Sequence, residues 1–263
     1  MSATAIEHEQ ALLRKHYPRF RLHPNEEYFP IGINEYLQQC TARTPRTTIR
    51  EYGSLTPEVI DQIDIKEPLR LRSRESVWNG STTTASIYGV CTRKRDVFLL
   101  QYIMFFAYNG PYTCGCCCCC NIHGHPADFE HVTIVVDRES LEIEEIRLGQ
   151  HGREAVHSFE DFTVLDHRPY IYIAKNNHAM YSDRKVYKRR CFLRNDTTLD
   201  DSDDAMFGGT TIDMLPLVIV DERTPWLRFT GDWGGKTYSP MTSNWWRRKA
   251  PKTTNAFWRM FCC

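Results

Sequence analysis

The sequence has no apolar stretch long enough to span a bilayer. Its longest, Val97–Tyr108, is broken by Gln101 and falls well short of the ~20 residues a spanning helix needs. It has no net charge either: 33 Lys and Arg balance 33 Asp and Glu. No global field therefore draws it to nucleic acid or membrane, and nucleic acid is not an expected partner. The opening Met1-Ser2-Ala3-Thr4 runs straight into the charged stretch Glu7–Lys15, without the apolar core of a secretory leader. This start predicts a cytoplasmic protein.

Catalytic signatures are absent as well. There is no Gly-x-x-x-x-Gly-Lys-[Ser/Thr] phosphate loop, no Gly-x-Gly-x-x-Gly, no Gly-x-Ser-x-Gly elbow and no His-Glu-x-x-His. Asp200–Asp204 lacks the Gly and the closing Glu of a calcium loop, so it reads as a solvated acidic loop. No Gly/Ser linker or internal repeat divides the chain.

What is present is β-forming. Ser86–Cys91, Val97–Tyr108, Val132–Asp137, Leu141–Leu148, Tyr170–Lys175 and Leu215–Val220 are rich in Val, Ile, Tyr and Phe. Turn signals separate them at Asn109-Gly110-Pro111, Asp137–Ser140, Gly149–Gly152 and Arg168-Pro169. Val132–Val136 and Leu141–Ile146 around Asp137–Ser140 read as a hairpin. Weak helical character marks Ala3–His16 and Ile31–Cys40, and Thr56-Pro57-Glu58 resembles a helix start. The fold class is mostly β: an antiparallel β-sandwich with a few short peripheral helices. The expected organisation is an N-terminal extension over 1–22, one sandwich domain over 23–248 and a basic-aromatic tail over 249–263.

One segment concentrates chemistry: His123-Gly124-His125-Pro126-Ala127-Asp128-Phe129-Glu130-His131. If a strand begins near Asp128, alternation puts Asp128 and Glu130 on one face, and Phe129 and His131 on the other. His123 and His125, in the preceding loop, could fold over the carboxylate face. Carboxylates with one or two imidazoles make a hard, oxygen-rich site suited to a divalent cation, Mg²⁺ or Ca²⁺ foremost. The competing reading is two surface carboxylates at a strand start beside loop histidines. His131 reads as a hydrogen-bonded core histidine. A metal-dependent hydrolase is the enzymatic alternative, with His151 or His178 as acid or base.

Eleven cysteines include six within Cys114–Cys120 and a final pair. In a reducing compartment they are thiols. Soft-metal ligation, S-acylation and a merely permissive loop all remain open for the run. Cys116, Cys117, Cys118, Cys119 and Cys120, with Cys262 and Cys263, are the candidate lipidation sites. A prenylation box would need Cys where Met260 stands. Trp245-Trp246-Arg247-Arg248-Lys249 and Phe257-Trp258-Arg259 mix aromatics with cations, a composition suited to a membrane surface. The alternative is that Trp245 and Trp246 complete the core. A lipidated cysteine plus such a tail would supply the two signals that stable anchoring needs. A structural role in a larger assembly is a third possibility.

Ala127-Asp128-Phe129-Glu130-His131-Val132-Thr133 resembles the Gly-Asp-Trp-Glu-His-Val-Thr signature of the vacuolar protein sorting-associated protein 62 family. His23–Pro30, Tyr108-Asn109-Gly110, Gln150-His151-Gly152, Arg168–Ala174, His178–Tyr181, Gly231–Gly234 and Trp245-Trp246 follow in that family's order. The resemblance implies a β-sandwich sorting protein with protein partners, on the cytosolic face of an endomembrane. Gly124–Glu130 is also distantly similar to the Gly-His-Arg-His-Asp-Trp-Glu heptapeptide of necrosis-inducing, Nep-like proteins, with Ala127 and Phe129 in place of His and Trp. That similarity implies metal ligands at His125, Asp128 and Glu130, and His123 is added from its place in the loop. His151, His178 and Asp232 would line the same end.

Overall fold

The computed structural model describes residues 3–63, 68–113, 121–122, 124–150, 153–184, 186–188, 195–197, 215–221 and 223–240. In chain order the elements are α1 (Ala3–Lys15), β1 (Arg19–Leu22), α2 (Ile33–Gln38), β2 (Cys40–Arg43), β3 (Thr48–Arg50), α3 (Pro57–Asp61) and β4 (Arg70–Ser73). Then come β5 (Ile87–Arg93), β6 (Val97–Asn109), β7 (Tyr112–Thr113), β8 (Asn121–Ile122), β9 (His125–Asp137), β10 (Ile143–Gln150) and β11 (Arg153–His157). The last are β12 (Val164–Leu165), β13 (Arg168–Ile173), β14 (Met180–Tyr181), β15 (Val186–Lys188), β16 (Asn195–Thr197), β17 (Leu217–Ile219) and α4 (Pro225–Arg228). Among the described residues no helix is long and apolar enough to cross a membrane.

A six-stranded sheet, β11-β10-β9-β6-β5-β17, forms the middle of the molecule. It is antiparallel except where β17 runs parallel to β5. β6 and β9 are each 13 residues long and buried along nearly their whole length. Both faces of this sheet are covered, so β6 carries a near-continuous apolar run rather than an alternating one. That explains why Val97–Tyr108 reads as a hydrophobic stretch interrupted only by Gln101.

On one face, Leu100, Tyr102, Met104, Val132 and Ile134 pack against Phe20, Ile171 and Ile173 of a second sheet, β1-β13-β12 with β14 on β13. Leu12 and Leu13 of α1 join this core. β1 runs parallel to β13. The segment expected as an extension before His23 is thus woven into the sandwich, and the expected mostly β, antiparallel sandwich holds, with parallel pairing at β1–β13 and β17–β5. On the other face, Ile103, Phe105 and Phe129 meet Tyr36, Leu37, Leu71, Trp226 and Trp233 in a second core. Here α2, α3, α4 and the small β3-β2-β4 sheet supply the cover. Trp233 is wholly buried, and its indole nitrogen donates to Ser239 Oγ at 2.8 Å. Truncating a buried aromatic of this kind costs about 3–5 kcal/mol.

Local chemistry sets the ends. Pro57 opens α3 and Thr56 Oγ1 accepts the Val59 N–H at 3.3 Å, an N-cap where the sequence places one. Asp137 Oδ1 accepts from the Glu139 and Ser140 amides and closes the β9–β10 hairpin. Arg168-Pro169, expected as a turn, lies inside β13. The turn falls just before it, at Asp166 and His167, both left-handed (φ 52° and 61°). Two residues of positive φ make the tight hairpin that matches strand twist. The acidic run Asp200–Asp204 and the tail with Trp245 and Trp246 lie outside the described residues.

Candidate functional site

Ala127 has φ 61°, and the β6–β9 ladder passes over it. Its carbonyl instead accepts from Thr237 Oγ1 at 2.9 Å. Regular alternation begins one residue later. Asp128 stands opposite Phe106 and Glu130 opposite Met104, so both carboxylates point to the first core's side. Phe129 and His131 stand opposite Phe105 and Ile103, on the side of the second. The face assignment made from spacing therefore matches the register. Asp128 is 9% exposed and Glu130 8%.

Asp128 Oδ2 accepts from Asn109 Nδ2 at 3.0 Å and lies 3.1 Å from His178 Nδ1. His178 is wholly buried and lies flat on Phe106, ring centroids 3.6 Å apart and 6° from parallel. Its Nε2 is 3.2 Å from the Tyr28 carbonyl and 3.9 Å from Glu26 Oε1. Both ring nitrogens thus face oxygen acceptors, which fixes the orientation of the ring. Glu26 is buried in turn: Oε1 accepts from the Glu27 and Tyr28 amides, both at 3.0 Å, and Oε2 from the Asn176 amide at 2.9 Å. Glu26, His178 and Asp128 thus form one buried array that joins the entry segment, the β13–β14 loop and β9. Its loop carries two left-handed residues, Asn176 (φ 63°) and His178 (φ 58°). Such backbone costs on the order of 1 kcal/mol each and persists only where surroundings over-determine it. The Glu26 carboxylate, and the Pro111 carbonyl that accepts from Asn176 Nδ2 at 3.0 Å, supply that restraint.

The remaining predicted site residues divide. His125 Nδ1 faces the carbonyls of Pro126 and Ala127, at 3.3 and 3.1 Å, so it bonds within its own segment. His131 Nε2 lies 3.1 Å from Glu154 Oε1, both side chains largely buried. Asp232 Oδ2 accepts from Arg70 Nε and its Oδ1 from the Gly234 amide, each at 2.8 Å. It ties the Gly231–Gly234 segment to β4. His123, His151, Cys116–Cys120, Cys262 and Cys263 lie outside the described residues. Among the described residues no group of three or more His, Cys, Asp or Glu side chains is gathered as for a metal ion.

Two residues of the array escaped sequence reasoning: Glu26 and Asn109. Each sits in a segment that carried the family resemblance, His23–Pro30 and Tyr108-Asn109-Gly110, which was the available signal.

The family model for vacuolar protein sorting-associated protein 62 matches residues 2–245. No curated protein matches the chain. Among solved structures, one described as a "toxin fold for microbial attack and plant defense" is 13% identical, with TM-score 0.49 over 93% of this chain and 90% of that one. A "non-toxic HaNLP3 protein" is 15% identical, with TM-score 0.48 over 93% of each. "Necrosis and Ethylene inducing Protein 2" from the causal agent of cocoa's Witches Broom disease is 15% identical, with TM-score 0.39 over 72% of this chain and 71% of that one. Similarities of this size carry no functional argument.

Proposed function

The chain belongs to the vacuolar protein sorting-associated protein 62 family, and on that premise we propose a non-enzymatic β-sandwich module that binds a divalent cation at Asp128 and Glu130 and associates peripherally with a membrane. One observation carries the cation reading: two acidic side chains share a face at the start of the regular β9 ladder, on a rigid support. Asn109 and His178 both engage Oδ2 of Asp128, and its Oδ1 accepts no hydrogen bond among the described residues.

This donor set fits a hard cation. Mg²⁺ is commonly held by one or two carboxylates and several waters, so a full cage of protein ligands is not required. Asp128 and Glu130 would supply the charge; Asn109 and His178 would fix the orientation of Asp128. His125, with Nδ1 turned to its own segment's carbonyls, adds nothing from that nitrogen.

The membrane reading draws on the sequence: the Cys116–Cys120 run, Cys262, Cys263 and the basic-aromatic tail. These would place the module on the cytosolic face of an endomembrane, beside protein partners. The hydrolase alternative loses one of its proposed bases, because His178 has no exposed ring atom and both nitrogens face acceptors.

Native mass spectrometry of the full chain from its own cells tests both halves at once. Bound Mg²⁺ or Ca²⁺, lost in Asp128→Ala, together with acyl adducts on cysteine, is the expected result. Protein carrying neither ion nor lipid would overturn the reading.

A further inference from the structure

Beside the array stands a set of rings that the cation site does not use. Trp78 lies on Tyr108 with centroids 4.2 Å apart and planes 10° from parallel, and Tyr28 joins Tyr108 at 5.1 Å. All three are half-buried, so they keep apolar surface in water. They are nonetheless held firmly. The Trp78 indole nitrogen donates to Ser73 Oγ at 3.2 Å. Tyr108 ends β6 next to Asn109, and the Tyr28 amide donates to Glu26. The turn that carries Trp78 is tied to the entry segment through the Phe29 amide and the Asn79 carbonyl, at 2.9 Å.

The rim of these rings is acidic. Burial, then the Glu75 carboxylate, pushes the Tyr108 hydroxyl pKa up; burial, then Glu27, does the same for Tyr28. Glu75 and Glu27 are both exposed. Lys175 Nζ reaches Glu27 at 3.1 Å and offsets one of the two charges; Glu75 makes no ion pair among the described residues. Arginines cap rings elsewhere in the molecule, over Tyr170, Tyr52, Phe98 and Tyr17. Among the described residues no cation sits over Trp78, Tyr108 or Tyr28. Rigid, half-exposed rings with a carboxylate rim attract a weakly hydrated cation through the ring quadrupole, and Trp is the strongest partner for it.

We infer that Trp78, Tyr108 and Tyr28 form a recognition platform for the quaternary ammonium of a choline lipid headgroup, with Glu75 as its counter-charge. The negative rim disfavours an anionic headgroup, and a trimethylammonium presents the apolar, cationic surface that stacked rings accept. This inference rests on the membrane reading and gives it a lipid class.

The test uses the full chain and two probes. Soluble phosphocholine is titrated by NMR, and flotation compares phosphatidylcholine with phosphatidylglycerol vesicles. Wild type should bind phosphocholine and float with phosphatidylcholine in preference. Trp78→Ala should weaken phosphocholine about tenfold, Trp78→Phe should retain part of the affinity, and Glu75→Gln should weaken it several-fold. Thermal melts confirm that each variant is folded, and the exposed Glu75→Gln keeps the test open if Trp78→Ala unfolds. Vesicle binding indifferent to choline, Trp78 and Glu75 overturns this inference and leaves the membrane reading standing. Phosphocholine binding with no vesicle binding overturns the lipid assignment and the membrane reading together. Tighter binding of a trimethyllysine peptide than of phosphocholine would reassign the platform to a protein partner.

Discussion

His178 Nδ1 lies 3.1 Å from Asp128 Oδ2 in a setting where the imidazole is wholly sealed from water. The carboxylate belongs to the central sheet and the imidazole to a loop of the facing one, so this contact holds two layers in register. Removing one partner of a buried polar pair leaves the other desolvated and unmatched, a larger effect than the pair's net worth.

His178→Ala should therefore destabilise the fold by about 3 kcal/mol. Asp128→Ala should also destabilise, and the double variant should lose less than the sum, by about 1–3 kcal/mol. Urea denaturation of the four species measures the cycle. Strict additivity would mean that the two side chains do not act together.

Much of this region was legible in the sequence, and the boundary is instructive. Period-two alternation located Asp128 and Glu130 on one face because the local backbone alone decides it, once Ala127 has absorbed the irregular step. Glu26 could not be found this way. It meets His178, far away in the chain, alongside the Tyr28 carbonyl, and only tertiary packing brings them together. The same holds for the partner of β1: Arg19–Leu22 alternates polar and apolar residues, but its parallel pairing with β13 is set by tertiary packing. Apolar runs such as Val97–Tyr108 were readable as strands, yet their lack of alternation was the overlooked sign that both faces are covered. The turn expected at Arg168-Pro169 falls instead at Asp166-His167 because Pro tolerates a strand position whose amide is not needed.

Acid should weaken the fold through His16. This side chain is 6% exposed, and its Nε2 has no hydrogen-bond partner among the described residues. Burial above all, then Lys15, pushes its pKa from 6.5 down to about 4, with Glu142 opposing. The unfolded chain binds a proton at His16 more readily than the folded one. Stability should therefore fall as pH drops from 6.5 towards 4, by on the order of 2–3 kcal/mol in total. In His16→Leu that part of the profile should flatten. A denaturation profile with unchanged slope across the window would assign the acid sensitivity to other groups.

Gly80 fixes the turn that carries Trp78. Its φ is +67°, and a Cβ there would stand 1.7 Å from the Phe29 carbonyl oxygen. Backbone cannot yield as a side-chain tip can, and the left-handed conformation adds strain of its own. Gly80→Ala should cost about 3 kcal/mol or more, near the upper range for single substitutions. Guanidinium unfolding is the check. A variant within about 0.5 kcal/mol of wild type would show that this turn can move away from the entry segment.

Cation binding at Asp128 and Glu130 should appear as stabilisation by mass action. An ion that binds only the folded chain adds about 2.7 kcal/mol when its concentration is a hundredfold above Kd. Melting temperature should rise with MgCl₂ or CaCl₂ at constant ionic strength, which separates specific binding from general screening. Asp128→Asn keeps a carbonyl oxygen towards Asn109 and His178 while removing the charge that an ion needs. Glu130→Gln does the same one step along the face. Each variant should lose the ion-dependent rise, whatever its own starting stability. If both melt higher with added ion to the same extent as wild type, the cation is held elsewhere, and Asp128 serves only to anchor His178.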